Sequence, residues 1–271
     1  MSAPAPHPSP LSAIMTNDLQ SRRQAFRDLH HDGFFVLPNP WDIGGVRRLE
    51  QLGFQALAST SAGFAWSLGH DDLTLSRDQV LDHLRVLCAS TSLPVNADFE
   101  AGFAERPEEV AANVRLAVDA GVAGLSIEDR DGDRLFDLPL AAERIRASRR
   151  AIEDVDANIV LVGRTEGFLI GDSDIGATVE RLVAYAEAGA DCLYAPGVRE
   201  PAHIEAIVKA VAPKPVNVLL VSPDMRTAQL QALGVRRAST GGFLARAAWA
   251  GFEEAARTLR EQGALPARLF G

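Results

Sequence analysis

Short apolar runs alternate with longer segments in which apolar residues recur every three or four positions, and the alternation repeats along most of the chain. The first rhythm suits buried strands and the second suits amphipathic helices. A leading helix is expected at 17–32, with Leu19, Phe26 and Leu29 on one side. Strands are expected at 34–38, 54–59, 95–98, 124–128, 159–164, 192–195, 215–219 and 237–239. Helices are expected at 42–51, 76–89, 107–121, 140–153, 174–189, 200–211, 226–234 and 243–262. Asp42 and Ser76 are placed to cap helices, Gly53 to end one, and Pro107 falls in a first helical turn. Residues 60–74 are polar and glycine-bearing and read as a long loop.

Strict strand–helix alternation implies a parallel sheet with right-handed crossovers. Eight such pairs in roughly 250 residues fit a closed (β/α)8 barrel of the TIM type, here with a leading N-terminal helix. An open doubly wound sheet is the competitor, but its glycine fingerprint for dinucleotides is missing after the first strand. The start of the chain, rich in Pro, Ala and Ser, reads as a disordered tail over residues 1–16, and 17–271 as one barrel domain.

The composition, 47% hydrophobic and 23% charged over 271 residues, is that of an ordinary soluble globular protein. A net charge of −9 argues against a broad nucleic-acid footprint. Cys88 and Cys192 are too few for a disulfide framework and read as reduced, buried thiols. No apolar run approaches a membrane span, and the start lacks the basic-then-apolar order of a secretion signal. A cytoplasmic location with no membrane partner is expected.

A barrel carries its chemistry at the C-terminal ends of its strands. Those ends gather Asn39, Ser59-Thr60-Ser61, Asp98, Glu100, Glu128, Asp129, Arg164, Glu166, Tyr194, Asn217, Ser239 and Thr240. Asp98 and Glu100 stand two apart, so an extended chain aims both to one side. Adjacent anions repel unless a cation or proton sits between them. Asp98, Glu100 and Glu128 are therefore expected to converge on one hard divalent cation, Mg²⁺ or alternatively Mn²⁺, with Asp98 direct and the glutamates partly through water. The bland alternative pairs these acids with Arg106, Arg130 or Arg164. Arg164 is expected to grip a substrate carboxylate or phosphonate, the alternative being an ion pair with Glu128 or Glu166. The Ser59–Ser61 stretch offers backbone N–H groups and hydroxyls to an anion.

The histidines are scattered. His30, His31, His83 and His203 are expected on helix surfaces and His70 in a loop. No nucleophile-elbow sequence is present, which leaves no Ser/His/Asp triad to argue. Trp41, Trp66 and Trp249 read as packing residues, with Ala62, Phe64, Trp66 and Tyr194 as candidate pocket lining.

At these residues the chain resembles the isocitrate lyase/phosphoenolpyruvate mutase superfamily. The resemblance rests on Pro38-Asn39-Pro40-Trp41-Asp42, Ser67-Leu68-Gly69 leading to Asp72, Asp98-Phe99-Glu100-Ala101-Gly102-Phe103, Ile127-Glu128-Asp129 and Gly163-Arg164-Thr165-Glu166. It implies a (β/α)8 barrel in a homo-oligomer, usually a tetramer, with the last helix exchanged between subunits. It implies Mg²⁺ near Asp98, its shell completed by Asp72, Glu100 and Glu128 partly through water. It implies a 2-oxo acid held by Ser59, Thr60, Ser61 and Arg164, with Asn217 on a substrate carboxylate. The lyases of the family carry a lid Lys-Lys-Cys-Gly-His after the Glu-Asp pair. Here residues 130–137 hold no Cys, His, Lys or Asn.

Retained acids beside a stripped lid point to a Mg²⁺-dependent lyase that cleaves a C–C bond of a small 2-oxo or 2-hydroxy dicarboxylate through a metal-bound enolate, with oxaloacetate decarboxylation the leading example. Asp98, Glu128 and Arg164 are its expected catalytic residues. The alternatives are a C–P bond cleaving enzyme of the phosphonopyruvate type and a non-catalytic oxo-acid-binding barrel.

Overall fold

A computed structural model describes residues 10–270 of the chain. The expected tail lies outside the described residues as far as residue 9, and the leading helix α1 spans Pro10–Leu29. The barrel strands are β1 (Phe35–Leu37), β2 (Leu57–Ala58), β3 (Val95–Asp98), β4 (Gly124–Glu128), β7 (Val160–Arg164), β8 (Cys192–Tyr194), β9 (Val216–Leu219) and β10 (Arg237–Ser239), with a small hairpin β5 (Arg130–Asp131) and β6 (Arg134–Leu135) set between β4 and β7. The helices that follow α1 are α2 (Ile43–Gln51), α3 (Ser61–Ser67), α4 (Arg77–Ala89), α5 (Pro107–Asp119), α6 (Leu138–Glu153), α7 (Ile175–Glu187), α8 (Pro201–Val211), α9 (Thr227–Ala232) and α10 (Phe243–Gln262).

All barrel pairings are parallel and run β1-β10-β9-β8-β7-β4-β3-β2. The remaining seam, between β1 and β2, is bridged where Ala58 N–H donates to the Pro38 carbonyl at 3.0 Å and Asn39 Nδ2 donates to the Ser59 carbonyl at 2.8 Å. The expected eight-stranded barrel is therefore present and nearly closed. Parallel pairing puts every strand's C-terminal end on one face, which is what brings distant acids together.

Local chemistry explains the element ends. Asp42 accepts from Gly45 N–H to start α2, and Ser76 forms a reciprocal capping box with Gln79 to start α4. Gly121 and Gly189, just past α5 and α7, sit at φ +96° and +105°, a region that only glycine enters cheaply. β4 is buried along its whole length between barrel interior and helices, so it shows an apolar run rather than alternation.

Three expectations fail here. The presumed loop at 60–74 contains α3, capped by Thr60, whose side chain accepts from Gly63 N–H. Residues 130–135, for which the pattern predicts no element, form the hairpin, with Gly132 at φ +62° in its turn. Trp249, expected to pack inside, is 38% exposed on α10, edge-on to the exposed Phe252 ring at 5.8 Å. Cys88 and Cys192 are free and buried, as expected. Among the described residues no helix is long and apolar enough to cross a membrane.

Candidate active site

β3 stops at Asp98, and the chain then turns sharply. Glu100 adopts φ +47° and Gly102 φ +74°, where an added Cβ would come 2.8 Å from Val110 Cγ1. Asp98 and Glu100 thus share a tip without sharing an extended strand. Glu100 O accepts from Glu128 N–H at 3.0 Å, which ties the tips of β3 and β4 together.

Arg164, the last residue of β7, stands between these tips. Its Nη1 lies 3.0 Å from Asp98 Oδ1 and 3.1 Å from Glu128 Oε1, and its Nε lies 2.6 Å from Glu166 Oε1. Asp98 and Glu128 do converge, and the group between them is a guanidinium. One cation cannot balance so many acids. Burial, with Glu166, Asp98 and Glu100 nearby, pushes the Glu128 carboxyl well above the carboxylate range against the pull of Arg164. Burial opposes charge on Arg164, but Glu128, Glu166 and Asp98 hold it firmly protonated.

Glu166 is itself fixed from behind. Its N–H donates to Asp129 Oδ1 at 2.9 Å, and Asp129 Oδ2 accepts from Tyr185 OH at 2.6 Å and pairs with Arg181 at 3.3 Å. Asp129 therefore sits behind the rim and sets the position of Glu166, and through it Arg164.

The Ser59–Ser61 stretch serves Asp98 directly. Ser59 Oγ accepts from Asp98 N–H at 2.8 Å, and Ser61 N–H donates to Asp98 Oδ2 at 3.0 Å. Asp72 lies at the cavity mouth, where desolvation and then the Asp98 charge push its carboxyl up. Desolvation, then Asp98 and Asp72, push Glu100 up to about 8, and Glu100 Oε1 is buried without a hydrogen-bond partner.

That orphaned oxygen tests the fit of a metal. Asp98, Asp72 and Glu100 are oxygen donors only, and the Asp98 charge helps to raise both Asp72 and Glu100, which suits a hard divalent cation. Among the described residues no three acids, histidines or cysteines are close enough to form a ready-made cage. An ion that keeps several waters and takes one or two carboxylates directly fits this arrangement. Glu128, also expected in the shell, is paired with Arg164 at 3.1 Å.

Asp72 and Asp98 open on a cavity of about 160 Å³ at the barrel mouth. This is below the usual range for drug-sized ligands and suits a small acid. Ser59, Thr60, Ser61, Ala62, Asp72, Asp98, Arg164, Tyr194 and Asn217 line it. Trp66 and Phe64, expected as wall, do not: Arg246 lies 5.2 Å over the Trp66 ring, and Phe64 stacks on His83 at 3.7 Å. Asn217, expected to bind substrate, has both amide ends engaged, donating to Ser239 Oγ at 2.9 Å and accepting from Arg237 Nε at 3.0 Å.

Sequence reasoning missed several residues here. Arg237, on the inner face of β10 two residues before Ser239, is 2% exposed and lines the cavity. Asn39, anticipated at the rim, ties the Thr240-Gly241 turn to it, its Oδ1 accepting from both N–H groups at 3.0 and 2.8 Å. His30 and His83, expected on surfaces, are 6% and 9% exposed. His30 Nδ1 donates to the Phe26 carbonyl at 2.7 Å, and its Nε2 accepts from Arg237 Nη1 at 3.0 Å, since a guanidinium can only donate. Burial, then the Arg237 charge, lowers its pKa to about 3. His83 Nε2 bonds to the Trp41 carbonyl at 2.8 Å. The hairpin contributes no side chain to the cavity. Its own charges pair locally, with Arg134 on Asp131.

The family model for phosphoenolpyruvate phosphomutase matches residues 26–260. A proposed lyase/mutase from Burkholderia cenocepacia J2315 superposes with a TM-score of 0.89 at 43% identity, over 93% of this chain and 95% of that one. Oxaloacetate decarboxylase of Pseudomonas aeruginosa is 35% identical over 205 residues, covering 72% of this chain and 70% of the relative. A phosphonopyruvate hydrolase crystallised with oxalate and Mg²⁺ superposes with a TM-score of 0.81 at 26% identity, over 90% of this chain and 88% of that one.

Proposed function

The chain belongs to the isocitrate lyase/phosphoenolpyruvate mutase superfamily, and from that premise we propose that it is a Mg²⁺-dependent lyase cleaving a C–C bond of a small 2-oxo or 2-hydroxy dicarboxylate. Mn²⁺ is the expected substitute. The observation that carries the reading is the charge arrangement at the β3 tip. Asp98 and Asp72 act on the carboxyl of Glu100, whose Oε1 is buried and partnerless, next to an arginine already seated on Asp98. The acids would hold the cation, and Arg164 lines the same cavity as a donor to a bound acid.

Asp98, oriented from both ends by Ser59 and Ser61, would hold the cation directly, and Asp72 and Glu100 would act through water. A bound divalent cation would polarise the oxo or hydroxy acid and take up charge as the bond breaks. Arg164 is held by Asp98, Glu128 and Glu166, so it is preorganised as a donor to developing negative charge and cannot swing away. Thr60 and Ser61 present the N-terminal end of α3 and hydroxyls to the substrate carboxylate. With oxaloacetate, the C3–C4 bond breaks, CO₂ leaves, the electron pair moves to the C2 oxygen as an enolate, and C3 then gains a proton from water to give pyruvate. The hairpin lends the cavity no side chain, which suits a reaction that needs no lid acid.

Pyruvate release from oxaloacetate by purified protein is the first assay. Release above the metal-only rate, abolished by EDTA and by Asp98→Asn, is expected. No release from oxaloacetate or from malate-type substrates, with phosphate released from phosphonopyruvate instead, would favour C–P cleavage. Oxalate binding without any turnover would favour a non-catalytic oxo-acid binder. The protein acts on small molecules, without nucleic acid or membrane partners, and in the cytoplasm. It works as a homo-oligomer, a dimer or tetramer, built on α10, which buries only Ala245 while Phe243, Trp249, Phe252 and Leu259 stay exposed.

A further inference from the structure

Below the acidic rim, the barrel interior holds a second charge of opposite sign. Arg237 opens β10 and lies in register with Phe35 of β1 and Asn217 of β9. Strand alternation gives it the same inward face as Ser239, one residue pair deeper, roughly 7 Å below the strand tip. It is 2% exposed, and what remains exposed borders the cavity.

Its hydrogen bonds go only to neutral groups, Asn217 Oδ1 at 3.0 Å and His30 Nε2 at 3.0 Å. Among the described residues no Asp or Glu forms an ion pair with it, and the acidic groups that act on it are a thiol and a phenol, Cys192 and Tyr194. Arginine does not shed its proton inside proteins. A guanidinium buried without a counter-charge is costly unless something compensates it. His30 holds the guanidinium in place without neutralising it. The cavity wall thus carries its acids, Asp72 and Asp98, at the mouth, and an uncompensated cation at the floor.

We propose that Arg237 forms an anion subsite that receives the second carboxylate of the substrate, the one not held at the rim, and that this subsite sets a preference for dicarboxylates over monocarboxylates. The proposal rests on the reading of the rim given above and narrows its substrate class. A cation on a carboxylate opposes its loss as neutral CO₂, so pyruvate release from oxaloacetate, though above the metal-only rate, should be slower than cleavage of a 2-hydroxy dicarboxylate, which keeps that group. Asn217 then acts by orienting Arg237 and not by touching the substrate alone.

Lactate and malate share one 2-hydroxy acid head and differ by a single carboxylate, so their affinities isolate the subsite. Calorimetry with Mg²⁺, on the wild type and Arg237→Met, should give malate binding roughly tenfold to a hundredfold tighter than lactate in the wild type, the value of one charged hydrogen-bonded pair. In Arg237→Met the two should bind alike, while oxalate, which occupies only the rim, keeps its wild-type affinity in both. A malate preference that survives in the variant, or one absent from the wild type, overturns the subsite and leaves the rim reading standing. Failure of the wild type to bind oxalate with Mg²⁺ overturns both. Should the variant not fold, a wild-type crystal soaked with malate and Mg²⁺ decides: the distal carboxylate lies on the Arg237 guanidinium, or it turns to the rim and the proposal fails.

Discussion

Arg164 meets Asp98, Glu128 and Glu166 in one geometry that only a planar, forked cation can satisfy. Arg164→Lys keeps one charge but cannot reach all of them. Turnover should fall roughly 10²- to 10³-fold, the usual loss for one preorganised donor, with little change in melting temperature. Arg164→Met strips the cation from buried acids, and chemical denaturation should show a loss of about 3–5 kcal/mol. His30 makes a pH prediction. Its pKa falls from 6.5 in the unfolded chain to about 3 in the fold, so between those values the unfolded state binds the extra proton. Its effect on stability is absent above pH 6.5 and grows against the fold as pH drops toward about 3, by about 1.4 kcal/mol per pH unit. Urea denaturation at pH 7.5 and 5 should show a smaller acid loss for His30→Gln than for the wild type. Sequence named the acids and Arg164 because charged residues at strand ends stand out. It could not place His30 or Arg237, because burial of a polar side chain is decided by partners far along the chain, here the two residues themselves, 207 positions apart.

At the scale of elements, α3 is the piece that turns a strand end into part of the site. Thr60 caps it, and the next N–H, from Ser61, reaches Asp98. Thr60→Ala should cost about 1 kcal/mol of stability in urea titrations. Freed from its cap, the first turn frays and Asp98 loses a fixed partner. Mg²⁺ should bind more weakly by calorimetry, and KM should rise more than kcat falls. The helix escaped sequence reading because Ser-Ala-Gly-Phe-Ala-Trp-Ser buries only Gly63 and Ala65 and carries no apolar stripe. The hairpin escaped because each of its strands is two residues long, although Gly132-Asp133 is a recognised turn pair. The long elements were legible. Val95–Asp98, Gly124–Glu128, Arg237–Ser239 and Phe243–Gln262 fall where the apolar pattern puts them, because buried runs and helical stripes have no other use in a barrel.

The whole barrel followed from alternation alone, since parallel strands joined by helices have few ways to close. The fate of α10 did not, because its apolar residues read equally well as core or as interface. In the single chain, Phe252 is 64% exposed and Leu259 49%, on the same side as Trp249. These side chains would lower the free energy of any surface that covered them, by roughly 1.5–3 kcal/mol for each one fully buried. A second copy of the chain presents the same stripe, which makes a self-complementary contact the simplest cover. Sedimentation of the wild type should therefore give a dimer or tetramer. The double variant Trp249→Glu, Phe252→Glu places charge in that contact and should sediment as a single chain. Its circular dichroism should stay native, since neither side chain belongs to the barrel core. A wild type that is already monomeric at micromolar concentration would leave α10 without a partner copy and remove the oligomer from the proposed function.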